Sequence, residues 1–286
     1  MKAHVLAYAK LNLCLEVQGL RSDGFHEIRS LVQTIDLADR IEIATGRGVR
    51  VSCSAKLDGP NIAEQAVRTL LKHKRIRAGV NIRIEKNIPM RAGLGGGSSD
   101  AAAVLAVVNR LLPPVIPSSD LLEIAGTIGA DVPLFLTGGC VRVSGRGNPE
   151  AFLPPRSEAY AVLVPAVHCS TSEIYRAWHA AMPPKDRSQG DCRELGRNDL
   201  FPAAVRLAPV LQGFRNAVAD LGGLFSGMTG SGSGFYAAFA DRVQAEQACA
   251  NLRRQEHGCR IYYCQPTSTG FAELTDVGFA EERDAA

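Results

Sequence analysis

The order of apolar segments in this sequence predicts an α+β fold built in two units. Strand-like and helix-like stretches alternate irregularly, unlike the regular β–α alternation of a doubly wound sheet. A glycine-rich run stands between an alternating apolar strand and the strongest helix pattern of the chain. A loop over 145–155, holding two glycines and three prolines, divides residues 1–150 from residues 151–286.

In chain order, residues 5–17 mix β-branched and apolar side chains around Lys10 and Asn12 and read as a strand pair or strand edge. Arg21-Ser22-Asp23-Gly24 forms a turn, and further strands follow at 28–37, 40–44 and 49–53. Ile62, Ala66, Val67, Leu70 and Leu71 recur at helical spacing within 61–72. Residues 80–84 alternate apolar with polar as a strand does. A helix rich in Ala, Leu and Val covers 101–112, and Pro113-Pro114 stops it. Ser118 or Ser119 is placed to cap a helix over 121–128, and Gly138-Gly139 turns into a strand at 140–143. The second unit reads as a strand at 159–165, a polar, mobile segment at 183–198, a helix at 203–221, a strand at 234–240, a helix at 243–254 and a strand at 260–265. Residues 281–286 read as a frayed tail.

The 286 residues are 46% apolar and 21% charged, enough apolar material for two cores in a soluble protein. A formal charge of +3 suits an anionic metabolite at least as well as nucleic acid. The richest basic run, Lys72, Lys74, Arg75 and Arg77, contains no aromatic for stacking bases and reads as a solvated helix end, so no nucleic-acid partner is expected. Eight scattered cysteines without a CxxC pair predict reduced thiols, no zinc site and a cytoplasmic protein. The stretch after Met1 lacks the apolar core of a signal peptide, and no apolar run approaches the roughly 20 residues that span a bilayer, so no membrane partner is expected.

The strongest chemical signal is Pro89-Met90-Arg91-Ala92-Gly93-Leu94-Gly95-Gly96-Gly97-Ser98-Ser99-Asp100. Glycines let backbone N–H groups turn toward a ligand without a Cβ in the way, and the helix that follows adds unpaired amides and a positive dipole end. That is a phosphate site, with Ser98 and Ser99 as further donors. It contains no GxxxxGK[ST], and Ser98 stands where GxGxxG needs its third glycine. A flexible linker with a serine cap is the bland alternative, and a run locked between a strand and a strong helix makes a poor linker.

This loop closely resembles the nucleotide loop of the GHMP kinases. Its triple glycine resembles the branch that phosphorylates a small alcohol carrying a cytidine diphosphate. The resemblance implies the two-domain GHMP kinase fold with its active site in the inter-domain cleft, and ATP and Mg²⁺ as cofactors. It extends to Ala9-Lys10-Leu11-Asn12-Leu13 and Gly129-Ala130-Asp131-Val132-Pro133. Read alone, Lys10 is an edge lysine with its head in solvent and Asp131 a turn acceptor. The resemblance makes them the catalytic pair, with Asp131 accepting the hydroxyl proton and Lys10 keeping it ionised, and it puts Asn12 among the substrate contacts. Asp23-Gly24-Phe25-His26-Glu27 resembles a segment that contacts the cytosine, with Phe25 where the family carries tyrosine. Tyr175 corresponds to a second aromatic on the base, and Thr229-Gly230-Ser231-Gly232 to a turn near the substrate phosphates. Asn61 and Lys86 match positions near the nucleotide. The magnesium ligands and the oligomeric state are not legible. Two alternatives stay open: another GHMP kinase, of mevalonate or homoserine type, and a nucleotide-binding protein without turnover.

Overall fold

The computed structural model describes residues 1–57, 59–154, 156–181, 192, 194–255 and 258–274. It opens with two long strands, β1 (Lys2–Leu20) and β2 (His26–Gly46), then β3 (Val49–Cys53), α1 (Ile62–Lys74) and β4 (Gly79–Glu85). Three helices follow, α2 (Gly96–Leu111), α3 (Ser118–Ile128) and α4 (Val132–Thr137), and then a hairpin of β5 (Cys140–Gly145) and β6 (Asn148–Leu153). The second half contains β7 (Ala159–Val164), α5 (Thr171–Ala181), α6 (Phe201–Leu207), α7 (Leu211–Ala219), β8 (Phe225–Met228), β9 (Phe235–Phe239), α8 (Arg242–Gln255), β10 (Arg260–Cys264) and β11 (Phe271–Leu274).

These strands form two sheets. The larger runs β11-β1-β2-β4-β3, with β5 pairing the first part of β2 and β6 pairing β5. The smaller is antiparallel, in the order β10-β7-β9-β8. Helices α1 and α2 cover the large sheet through Val67, Leu70, Val104, Leu105 and Val108, packed on Ile41, Ile82 and Ile84. A third apolar layer joins the lobes: Leu11 and Leu13 of β1 meet Tyr160, Val162 and Tyr236 of the small sheet. The Tyr236 hydroxyl also donates to the Leu13 carbonyl at 3.0 Å.

Strand β1 is therefore buried on both faces, which erases the alternation a half-exposed strand shows and explains why 5–17 reads as a strand pair. Residues 28–37 and 40–44 belong to one strand: Tyr8 pairs with Ala38 and Ala9 with Ile35, so Asp36 and Leu37 bulge out and the polar break ends nothing. The loop expected at 145–155 is mostly the β5–β6 hairpin, turning at Arg146-Gly147. The helix expected at 203–221 is split, because Pro209 lacks the N–H that would continue α6. Helix α2 starts five residues earlier than its alanine-rich body, and α3 starts at Ser118 behind Pro117, with no serine side-chain cap. Lys74 is not a solvated lysine: its ammonium is buried and donates to the carbonyls of Asn109 and Leu112 at 2.8 and 2.6 Å. Nor are all thiols reduced, because Cys14 and Cys192 are disulfide-linked with their Cα atoms 6.0 Å apart. Most of the polar segment at 183–198, and the tail at 281–286, lie outside the described residues.

Candidate active site

The lobes enclose a cleft of about 1200 Å³ between β1, the glycine loop, α5 and the turn after β8. Bulges at Tyr8/Ala9 and Asn12/Cys14 bracket the part of β1 that carries Lys10 and Asn12, and the two residues share one face of the strand. Contrary to the reading of an edge lysine, Lys10 is buried, at 4% exposure. Its ammonium donates to Asn12 Oδ1 and, at 2.5 Å, to the Gly93 carbonyl. Burial pushes the Lys10 pKa down, and the charge of Asp131 pulls part of it back. Asp131 immediately precedes α4, yet its side chain makes no capping bond, and it stands on the cleft wall.

The glycine loop has its shape for steric reasons. Gly93 and Gly95 sit at φ +72° and +74°. A Cβ on Gly93 would lie 2.1 Å from the Thr229 carbonyl, and one on Gly95 would lie 2.7 Å from the Phe135 ring. Gly95 is the N-cap of α2, so the loop delivers the first amides of that helix to the cleft. Arg91, at φ +58°, holds the same left-handed conformation without being glycine. Pro89, Met90, Arg91, Ala92, Gly93, Leu94 and Gly95 through Ser98 all face the cleft. Ser99 does not, being fully buried behind the loop. Asn61 is on the wall and caps α1, its Oδ1 accepting the Ala63 N–H at 2.9 Å. Lys86 is on the wall too, with its ammonium between Asp39 and Asp100.

Aromatic side chains gather in another part of the cleft. The His26 ring lies 4.8 Å from Tyr175, tilted by 31°, with Trp178 and His179 edge-on to it. Burial lowers the His26 pKa, His179 acts in the same direction, and the buried His26 Nε2 has no hydrogen-bond partner. Tyr175 has its phenol pKa raised by burial and by the charge of Asp131. Phe25 is half exposed, and the Arg146 guanidinium covers one face of its ring at 3.6 Å. Thr229 lies beneath the cleft: its Oγ1 accepts the Asn12 N–H at 3.0 Å and donates to the Gly93 carbonyl at 3.1 Å. Gly230 and Ser231 face the cleft, whereas Gly232 is turned away against Met228.

Sequence reasoning missed Arg146, Arg176 and His179, which also line the cleft. The turn Gly145-Arg146-Gly147 was the one available signal for Arg146. The other two ride on α5, whose alternate faces carry polar and apolar residues in Thr171–Ala181 and which was not expected.

Comparison with known proteins agrees with this geometry. The model of the GHMP kinases N terminal domain matches residues 61–139, and that of the GHMP kinases C terminal matches residues 188–258. This chain belongs to the GHMP kinase family. A 4-diphosphocytidyl-2-C-methyl-D-erythritol kinase of Gloeobacter violaceus is 35% identical to this GHMP kinase, covering 92% of this chain and 94% of that one. One from Citrifermentans bemidjiense is 38% identical, covering 88% and 95%. Among solved structures, a 4-(cytidine 5'-diphospho)-2C-methyl-D-erythritol kinase superposes with a TM-score of 0.76 at 31% identity, covering 92% of this kinase and 99% of that chain. A homoserine kinase from Cytophaga hutchinsonii shares the fold at a TM-score of 0.72 and 20% identity, covering 96% and 97%.

Proposed function

We propose that this GHMP kinase transfers the γ-phosphoryl group of ATP to the 2-hydroxyl of 4-diphosphocytidyl-2-C-methyl-D-erythritol, a step in non-mevalonate isoprenoid precursor synthesis. The observation that carries the reading is one cleft holding a glycine loop at a helix N-terminus, a half-buried histidine–tyrosine ring pair and, on its wall, Lys10 and Asp131. The 35–38% identity to relatives named for this reaction supports the choice of substrate.

The loop amides from Gly95 onward would receive the ATP phosphates, and Asn61 and Lys86 would approach the rest of the nucleotide. Cytosine would be held by His26, whose unpartnered Nε2 needs a polar partner, beside Tyr175 and Phe25. Asp131 would orient the substrate hydroxyl and accept its proton. As a weak base for an alcohol it contributes as much by position as by basicity. Lys10 would hold Asn12 and the Gly93 carbonyl in place and offset charge on the transferring group. Asn12, Gly230 and Ser231 stand where the substrate's phosphates would pass, with Thr229 and Gly232 beneath them.

Magnesium fits this cleft as an ion carried mainly by phosphate oxygens: no cluster of three metal-binding side chains exists among the described residues, and the Ser98 hydroxyl offers a hard oxygen donor at the loop. When bound, it would neutralise charge on the β- and γ-phosphates. Among the described residues no helix is long and apolar enough to cross a membrane. The cytoplasmic location we propose rests on the small metabolites such a kinase handles, since the Cys14–Cys192 link removes the argument from reduced thiols. The division of the chain into two units we retain as a proposal, although 150/151 falls inside β6, which pairs with β5 of the first sheet, and β11 also returns to that sheet.

The deciding assay measures ADP release from ATP with the cytidyl substrate, with mevalonate and with homoserine. Turnover is expected with the first alone. Turnover with either of the others identifies a different GHMP kinase, and ATP binding without any turnover identifies a nucleotide-binding protein.

A further inference from the structure

Behind the glycine loop, Asp39 from β2, Lys86 just past β4 and Asp100 from α2 meet in a corner nearly closed to solvent, their side chains 0, 7 and 5% exposed. The Lys86 ammonium donates to Oδ2 of Asp39 and, at 2.7 Å, to Oδ2 of Asp100. Asp39 Oδ1 accepts the backbone amides of Asn87 and Ile88 at 2.6 and 2.8 Å. Those two residues lead directly into Pro89, where the glycine loop begins, and Asp100 lies in the second turn of the helix that the loop opens. One cluster of three charged groups thus ties both ends of the loop to β2. Nothing in the sequence motifs assigned a role to Asp39 or to the Asp100 side chain.

Resting on the reading of this loop as the ATP phosphate site, we propose that Asp39 is a positioning residue for ATP, which holds Lys86 and both ends of the glycine loop in the geometry that receives the phosphates. Its acceptor capacity fits that task. Asp39 takes three donors on its two oxygens, which suits a carboxylate. Asp100 takes one donor, and its buried Oδ1 has none. Burial and the neighbouring Asp39 raise the Asp100 pKa well above the usual carboxylate range, against the pull of Lys86. Burial by itself would lower Lys86, and the two carboxyl groups more than offset this and leave it raised. The two aspartates are therefore unequal: Asp39 accepts the Lys86 ammonium and two loop amides, whereas Asp100 accepts the ammonium alone, so an amide stands in more readily for Asp100.

The full chain tests this through ATP affinity by calorimetry, the KM for ATP, kcat and substrate affinity. Asp39→Asn should raise the Kd and KM for ATP by about tenfold or more, the loss of roughly one charge-assisted bond, with kcat and substrate affinity within about twofold. Asp100→Asn should cost several times less. A folded Asp39→Asn enzyme with unaltered ATP affinity overturns the proposal, as do equal losses in the two variants. If Asp39→Asn does not fold, Asp39→Ser, which can still accept an amide, takes its place with the same expectation. Failure of both to fold makes Asp39 a fold residue and also overturns the proposal. Gly95→Val separates this idea from the reading beneath it. Unchanged ATP binding in that variant removes the loop assignment itself, whereas lost binding there alongside normal binding in Asp39→Asn removes only the clamp.

Discussion

Asp131 and Lys10, the proposed catalytic pair, are held very differently. Asp131 caps nothing and faces the cleft, while Lys10 is fixed by Asn12 and Gly93 rather than by a direct bond to the aspartate. Asp131→Asn preserves shape and removes both charge and proton acceptor. Its kcat should fall about 10²–10⁴-fold, the range of general-base catalysis, with both ligands still bound within a small factor. Lys10→Met should behave similarly, and the double variant should lose less than the product of the single losses, since the two serve one step. Retention of half the activity in a folded Asp131→Asn enzyme would refute the mechanism. At His26 the expected effects are on the substrate side and on pH. His26→Ala should weaken the cytidyl substrate and leave ATP affinity unchanged, by calorimetry. Because burial lowers the folded-state pKa of His26, with His179 adding to the effect, its contribution to stability is complete above about pH 6.5 and is lost as pH falls through the lowered value. The difference in melting temperature between wild type and His26→Gln should therefore change below about pH 6.5 and be flat above it.

Helix α2 carries the proposed phosphate site at one end and a buried lysine cap at the other. Lys74, from the last turn of α1, supplies the donors that the carbonyls of Asn109 and Leu112 lack at the helix end. Lys74→Met would strand those buried acceptors at a cost of about 1–3 kcal/mol. The melting temperature should drop while the KM values for both substrates hold. A shift in KM would mean that the far end of α2 is coupled to the loop. At the near end, Gly95→Val sets a branched side chain against Phe135 at a left-handed φ. ATP affinity should collapse there while circular dichroism still reports a folded chain.

The whole molecule is two sheets fastened by an apolar layer along β1 and stitched by Thr229 to both Asn12 and Gly93. The cleft lies in that junction, so a bound nucleotide should stabilise the entire fold. At a hundred times its Kd, ATP should add about 2.7 kcal/mol, on the order of 4–5 °C in melting temperature for a chain of this size. The same concentration should leave Gly95→Val unshifted, and an equal shift in both proteins would place ATP somewhere else.

The sequence by itself determined the α+β class, most strands and helices of both lobes and the place of the glycine loop at the head of a helix, because each of these is written in neighbouring residues. Periodicity shows in α1 and β4, and the conformational needs of Gly93 and Gly95 follow from backbone sterics. It misjudged elements whose environment is supplied from far along the chain. Lys10 and Lys74 look solvated because lysines usually are, and distant carbonyls at Gly93, Asn109 and Leu112 bury them. Strand β1 hides its period because the small sheet covers its second face. Cys14 and Cys192 are 178 residues apart, so no local spacing announces their link. Only the tertiary structure decided that Arg146 covers Phe25, that His26 meets Tyr175, and that Asp39 reaches Lys86 and Asp100. Those contacts join residues separated by 14 to 149 positions, and their energies depend on burial that no short stretch of sequence encodes.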